Sequence, residues 1–144
     1  MALIDGEIEG HVGATRRQVA ALPVRRVADG SLRVLLVPSR QTRRWIVPKG
    51  WPVKGLKPHQ AAALEAREEA GVAGRISRKP IATYLYTKRL PSRSALCAVD
   101  VYLLEVEEHL DTWREKGQRE LVWLGRDEAA ELVDELGQAI RALA

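Results

Sequence analysis

Val47-Pro48-Lys49-Gly50-Trp51-Pro52-Val53-Lys54-Gly55-Leu56-Lys57 leads into Pro58-His59-Gln60-Ala61-Ala62-Ala63-Leu64-Glu65-Ala66-Arg67-Glu68-Glu69-Ala70, and Gly71-Val72 follows. The second part reads as a helix. Pro58 takes the first-turn position, where a missing N–H does no harm. Ala61 to Ala70 are almost all strong helix formers, and Gly71 supplies the stop. The first part is a Gly- and Pro-rich loop that arrives from the short strand Trp45-Ile46-Val47, ended by Pro48. Glycine at such positions lets the backbone itself come close to something. On the helix, Glu65, Glu68 and Glu69 are spaced i, i+3 and i+4 and share one face. Like charges so placed cost on the order of a few tenths of a kcal/mol per pair, and Arg67 lies on the other side. In an arbitrary helix such a face is simply solvated. Beside a rigid glycine loop, clustered carboxylates are hard oxygen ligands suited to Mg2+ or Mn2+.

Reading outward, Gln18–Val27 and Leu32–Pro38 are short, Val- and Leu-rich, and joined through Asp29-Gly30, a strong hairpin signal, so they are expected to pair antiparallel. After the helix, Arg75–Arg89 and Ser94–Glu107 read as two longer strands around Thr83-Tyr84-Leu85-Tyr86 and Val99-Asp100-Val101-Tyr102-Leu103, with Pro91-Ser92-Arg93 as their turn. Leu121-Val122-Trp123-Leu124 is a last strand, and Arg126–Leu143 one interrupted or two successive helices broken at Gly137. The expected class is α+β, with helices packed on a mixed, mostly antiparallel sheet. Residues 1–15 mix glycine with charge without a period and read as a flexible terminal segment, leaving 16–144 as one domain.

The 144 residues suffice for one core without disulfides or structural metals. With 46% hydrophobic and 29% charged residues the chain is far from the signature of disorder. The single cysteine, Cys97, excludes an intramolecular disulfide and a cysteine-held metal, and its apolar neighbours predict a buried packing residue. The start shows no secretory signal and no stretch approaches the ~20 apolar residues of a membrane span, so a cytoplasmic protein is expected. The net charge of +4 decides little by itself. Its placement says more: Arg40, Arg43, Arg44, Lys49, Lys54 and Lys57 lead into the glycine loop, and Arg75, Arg78, Lys79, Lys88, Arg89 and Arg93 follow the helix.

The stretch from Gly50 to Val72 resembles a Nudix box, G-x5-E-x7-R-E-U-x-E-E-x-G-U with U aliphatic. It matches without gaps at Gly50, Glu65, Ala66, Glu68, Glu69, Gly71 and Val72, and departs at Leu56 and Leu64, where the family has Glu and Arg. Losing both leaves no orphan charge, and an apolar clasp between Leu56 and Leu64 is the expected substitute. The resemblance runs from about Gln18 to the C-terminus. It is closest to the diphosphoinositol polyphosphate phosphohydrolase-like branch, through Val47-Pro48-Lys49-Gly50 and the looser set Trp113, Glu115, Arg119 and Trp123. It implies a Nudix-type α/β/α sandwich with one helix carrying the metal site and a helical C-terminus.

What the resemblance implies chemically is attack of a metal-activated water on a phosphoanhydride, in a phosphate-rich small molecule such as a dinucleoside polyphosphate or a diphosphoinositol polyphosphate. Glu68 and Glu69 are the expected metal ligands, and Glu65 is a third ligand or the proton acceptor. Glu115 and Glu120 are outside candidates for the base, with solvated loop charge the commoner role. Arg43, Arg44, Lys49, Gly50 and Arg119 are expected at the substrate. Trp45 and Trp51 read as packing or rim residues, His59 as a helix-start residue, and His11 and His109 have no partner pattern. Two alternatives remain: a non-catalytic sensor of a phosphorylated metabolite, favoured by Leu56 and Leu64, and removal of 5′ pyrophosphate from RNA. The second lacks an aromatic-plus-basic platform, so nucleic acid is not the expected partner.

Overall fold

The structure, a computed structural model, describes residues 15–40 and 42–144. The expectation of a flexible start at residues 1–15 falls outside these except for Thr15, as does His11. Strand β1 (Arg16–Arg26) turns through Asp29-Gly30 into β2 (Leu32–Pro38), paired antiparallel as expected. Gly30 has φ +84, and the Asp29 carboxylate accepts from Ser31 N–H at 2.8 Å, which fixes the turn. β3 (Trp45–Ile46) pairs with β2.

Lys49–Gly50, expected as loop, is instead a two-residue strand β4 paired with β1 at Val19 and Ala20. The chain therefore crosses from the edge of β2 to that of β1 over Val47-Pro48. Helix α1 (Pro58–Ala70) follows, its start closed by Lys57 N–H donating to Gln60 Oε1 at 2.9 Å and its end by Gly71 in the left-handed region.

The single strand expected over Arg75–Arg89 is two, β5 (Val72–Ile76) and β6 (Ala82–Arg89), both antiparallel to the long β7 (Ser94–His109). Pro80 sits in the gap, where it would have left a ladder carbonyl without a donor. Ser77 Oγ fills part of the break by accepting from Leu103 N–H at 3.0 Å. β1 runs parallel to β7 from Arg16 opposite Cys97 to Val24 opposite Glu105, which makes the sheet mixed. β8 (Val122–Gly125) pairs with β2, then come α2 (Arg126–Leu132), a 3-10 turn (Asp134–Leu136) and α3 (Gly137–Arg141). The helical break lies at Val133, and Gly137 begins α3 with ordinary helical angles. A Cβ on Gly137 would stand 3.1 Å from Ala130 O, so close packing of α2 explains that glycine.

Alternation along the strands divides the core in two. Leu22, Val24, Val34, Leu36, Val99 and Val101 meet Ala129, Ala130, Val133, Leu136 and Ile140 of the C-terminal helices. Val19, Ala21, Leu35, Val37, Tyr102 and Leu104 meet Ala61, Ala62, Ala66 and Ala70 of α1. The result is an α/β/α sandwich. Cys97 is buried, as expected. No helix among the described residues is long and apolar enough to cross a membrane.

A register shift in β5 falls between Ala73 and Gly74, and a Cβ on Gly74 would lie 2.0 Å from Glu105 O. Backbone cannot step aside as a side chain can. Gly74→Ala is expected to cost about 3 kcal/mol, roughly 10 °C in Tm, measured by thermal unfolding. A change under about 3 °C would show that the bulge is plastic.

Candidate active site

Helix α1 presents Glu65, Glu68 and Glu69 to a cavity of about 490 Å3. The rest of its lining is largely basic, with Arg40, Lys49, Lys88, Arg114 and Arg119, and Gln18, Gly50, Trp51 and Glu115 complete it. β4 positions Gly50 because it is pinned to β1. A Cβ there would stand 1.8 Å from Glu65 Oε1, so only glycine leaves this carboxylate its place against the strand. Gly71 has a related role: a Cβ would meet the Trp113 ring at 2.3 Å, and Leu110 N–H donates to Gly71 O at 2.8 Å. Those contacts dock the segment after β7 on the end of α1. Glu115 N–H then donates to Glu68 O at 3.0 Å.

Glu69 is 6% exposed and receives Arg119 Nη2 on Oε1 at 2.9 Å. Arg119 also reaches Glu115 Oε1 at 3.0 Å and, through Nη1, Pro38 O at 3.3 Å. Glu68 pairs loosely with exposed Arg114 at 3.5 Å. Burial pushes the Glu69 carboxyl up to about 8; Arg119 opposes the shift and Glu65 adds to it. Burial raises Glu65 as well, reinforced by Glu68. Lys49 is lowered, by burial first and then by Lys88.

Folded Glu69 therefore keeps its proton to about pH 8, whereas the unfolded carboxyl releases it near 4.5. Between these values the folded state binds more protons, so this group's contribution to stability falls as pH rises from 4.5 to 8 and is flat outside that window. Glu69→Gln keeps an acceptor for Arg119 but removes the slope. Each tenfold change in proton affinity is worth about 1.4 kcal/mol. In chelator-containing buffer the variant is expected to melt with wild type at pH 4 and about 5 °C or more above it at pH 8.5. Parallel Tm curves across that range would refute the buried carboxyl.

Hard oxygen donors on one helix face, with Glu65 and Glu69 raised by burial first and by their carboxylate neighbours after it, are the donor set a small divalent cation takes. Among the described residues, no three acidic, His or Cys side chains converge tightly enough to form a ready cage. The side chains are drawn instead to Arg119 and Arg114. The residues fit such an ion once these pairs loosen.

The basic wall continues into a groove of about 780 Å3 that adds Arg44, Tyr84, Tyr86, Thr87 and Arg89 and shares Lys49, Lys88 and Arg119. Lys49 Nζ is 5.0 Å from the Tyr86 ring centre, and Tyr86 OH donates to Gln18 Oε1 at 2.5 Å. Arg44 lies in this groove, paired with Glu135 at 3.0 Å. Arg43, in the left-handed region with φ 59, turns to a different cavity with Trp45 and Glu120. Glu115, for which solvated loop charge was the commoner expectation, is an engaged wall residue. Leu56 is 39% exposed and Leu64 only partly buried, and neither joins a core cluster, so a buried apolar clasp is absent. Sequence reasoning left Gln18, Arg40, Lys88 and Arg114 without a site role. Only their charge, or in Gln18 a polar residue starting an apolar strand, hinted at one.

No family model matches the chain. Nudix hydrolase 13, mitochondrial, from Arabidopsis thaliana is 33% identical over 110 residues, covering 72% of this chain and 54% of that protein. Nudix hydrolase 16, mitochondrial, of the same plant is 35% identical over 104 residues, 69% of this chain and 57% of that protein. The chain thus spans little more than half the length of these relatives. In three dimensions it resembles the C. elegans Ap4A hydrolase binary complex, with TM-score 0.62 and 20% identity over 88% of this chain and 93% of that one. It also resembles the NUDIX domain of Shewanella oneidensis NrtR complexed with ADP ribose, with TM-score 0.63 and 17% identity over 90% and 86%.

Proposed function

For this chain, which belongs to the Nudix hydrolase family, we propose a divalent-metal-dependent hydrolase, residues 16–144 being the working unit, that cleaves a phosphoanhydride in a phosphate-rich small molecule. One observation carries the reading: three carboxylates of α1 line a single cavity together with lysines and arginines. Glu65, Glu68 and Glu69 would hold Mg2+ or Mn2+, which supplies water activation and neutralises phosphate charge. Glu65 is either the third ligand or the group that takes the water's proton, and burial, which raises its carboxyl, makes it a better base than a solvated glutamate. Lys49 and Lys88 bind phosphate oxygens, and an arriving phosphate offsets the cost of burying the Lys49 charge. Gly50 fixes where Glu65 stands. Tyr84 and Tyr86 give the groove an aromatic side that suits a nucleoside end, so dinucleoside polyphosphates head the substrates and diphosphoinositol polyphosphates come second.

Phosphate release across a panel of pyrophosphate compounds, with Mg2+ or Mn2+ and product identification, tests this. Metal-dependent turnover of at least one supports it. Binding without turnover would favour a non-catalytic sensor, a reading motivated by Leu56, Leu64 and the arginine-paired glutamates. Competition by short triphosphorylated RNA tests the RNA alternative. The lone buried cysteine suits a reducing compartment, either the cytoplasm or the mitochondrion named for the plant relatives.

Arg44 is the better phosphate contact of the adjacent pair, since Arg43 faces elsewhere. Arg44→Ala is expected to raise KM roughly fivefold for substrates with four or more phosphates, and less for those with two. Arg43→Ala should change either by under about twofold. Equal effects from the two variants would make both ordinary surface charge.

A further inference from the structure

We propose that Arg119 is a positioning residue of the metal site, which holds Glu69 from the loop side, and not a ligand of the substrate's phosphates. The inference rests on the metal-dependent reading above. Arg119 is 11% exposed, and its guanidinium spans three elements: Glu69 on α1 at 2.9 Å, Glu115 after β7 at 3.0 Å, and Pro38 O at the end of β2 at 3.3 Å. Each anchor is itself held. Glu115 accepts from Arg40 as well, and its N–H is fixed on Glu68 O at 3.0 Å. Of the donors on Arg119, the buried Nε is without a protein partner among the described residues. Lys49 and Lys88 form no ion pair among the described residues and rest near aromatic rings, so both are free to meet phosphate in a way that Arg119 is not.

Leu56 and Leu64 give α1 no charged tie to the loop, and Arg114 is 74% exposed. Besides its neighbour Glu65 on the same helix, the charged group that holds Glu69 is Arg119, which ties it to the loop side. Partners that orient metal ligands typically contribute 10–100-fold in affinity. Charge and orientation act in opposite directions here, because deleting a cation beside a cation site strengthens metal binding by Coulomb's law. Arg119 also opposes the rise of the Glu69 carboxyl, and a protonated carboxyl does not bind metal, so the titration is run at pH 7 and at pH 8.5: weaker binding on losing Arg119 that persists at the higher pH comes from lost orientation.

The test is calorimetric titration of Mn2+ alone into wild type, Arg119→Gln, Arg119→Lys, and Arg75→Gln as a charge-matched change far from the site. KM is measured alongside on the substrate found above, and circular dichroism checks folding. Arg119→Gln is expected to bind Mn2+ about 10–100-fold more weakly with KM within about twofold of wild type. Arg119→Lys keeps the charge but cannot span three acceptors, so it should fall between them. If Arg119→Gln fails to fold, the lysine variant carries the comparison. Unchanged or tighter Mn2+ binding in both variants overturns the proposal, and a tenfold rise in KM with metal binding unmoved would make Arg119 a phosphate ligand. Wild type that binds no Mn2+ overturns the hydrolase reading itself, a separate outcome.

Discussion

Gly50→Ala is expected to leave the fold nearly intact and lower kcat by about 100-fold, a loss of about 2.7 kcal/mol in transition-state stabilisation. The added Cβ would stand 1.8 Å from Glu65 Oε1 and 2.4 Å from its Cδ. The obstacle is the end of a flexible side chain, so the cheapest response is for Glu65 to turn away. Gly50 has no left-handed backbone to protect, and its pairing with Val19 uses main-chain groups that alanine also has. Stability should change by less than about 1 kcal/mol. Activity should not survive, because Glu65 leaves the face it shares with Glu68 and Glu69. A variant with unfolding and turnover both near wild type would show that Glu65 has no defined place at Gly50. One that unfolds tens of degrees lower would place the clash in the backbone.

This prediction was not available from the chain alone, although its two participants were. The helix, its limits and its three glutamates were legible in the run of helix formers between Pro58 and Gly71, where local propensity and tertiary demand agree. Lys49–Gly50 reads as loop in the sequence because two residues cannot display a period. Only pairing with β1, a contact between distant parts of the chain, makes them a strand. Pro80 is the sequence signal for the split of β5 from β6, and reading Arg75–Arg89 as one strand passes over it. Arg43 and Arg44 look equivalent in sequence and diverge because one backbone angle at Arg43 reverses direction. The basic wall was visible as an excess of lysine and arginine. Which of these residues face the glutamates is set by the long return of β6 and β7 and by the docking of Trp113 on Gly71.

Glu68→Gln and Glu69→Gln are each expected to lower kcat by at least ~100-fold, since each removes a carboxylate charge from the cation that activates water. Their other consequences should differ, and that difference ties the loss to the site. Glu68 is 30% exposed with a loose, solvent-facing partner, so its amide variant should melt within a few °C of wild type without metal. Glu69 is buried and its carboxyl is raised, so its variant should be the more stable protein above pH 8 without metal. Saturating Mg2+ should reverse that order, because a ligand that binds only the folded state stabilises it in proportion to its occupancy, and the glutamine site binds less. The decisive measurement is Tm of the three proteins at pH 8.5 with chelator and with Mg2+, beside kcat. Turnover like wild type in both variants would remove these glutamates from the chemistry. Loss of turnover with no Mg2+-dependent reversal would mean that Glu69 supports the site through packing and not through a metal ion.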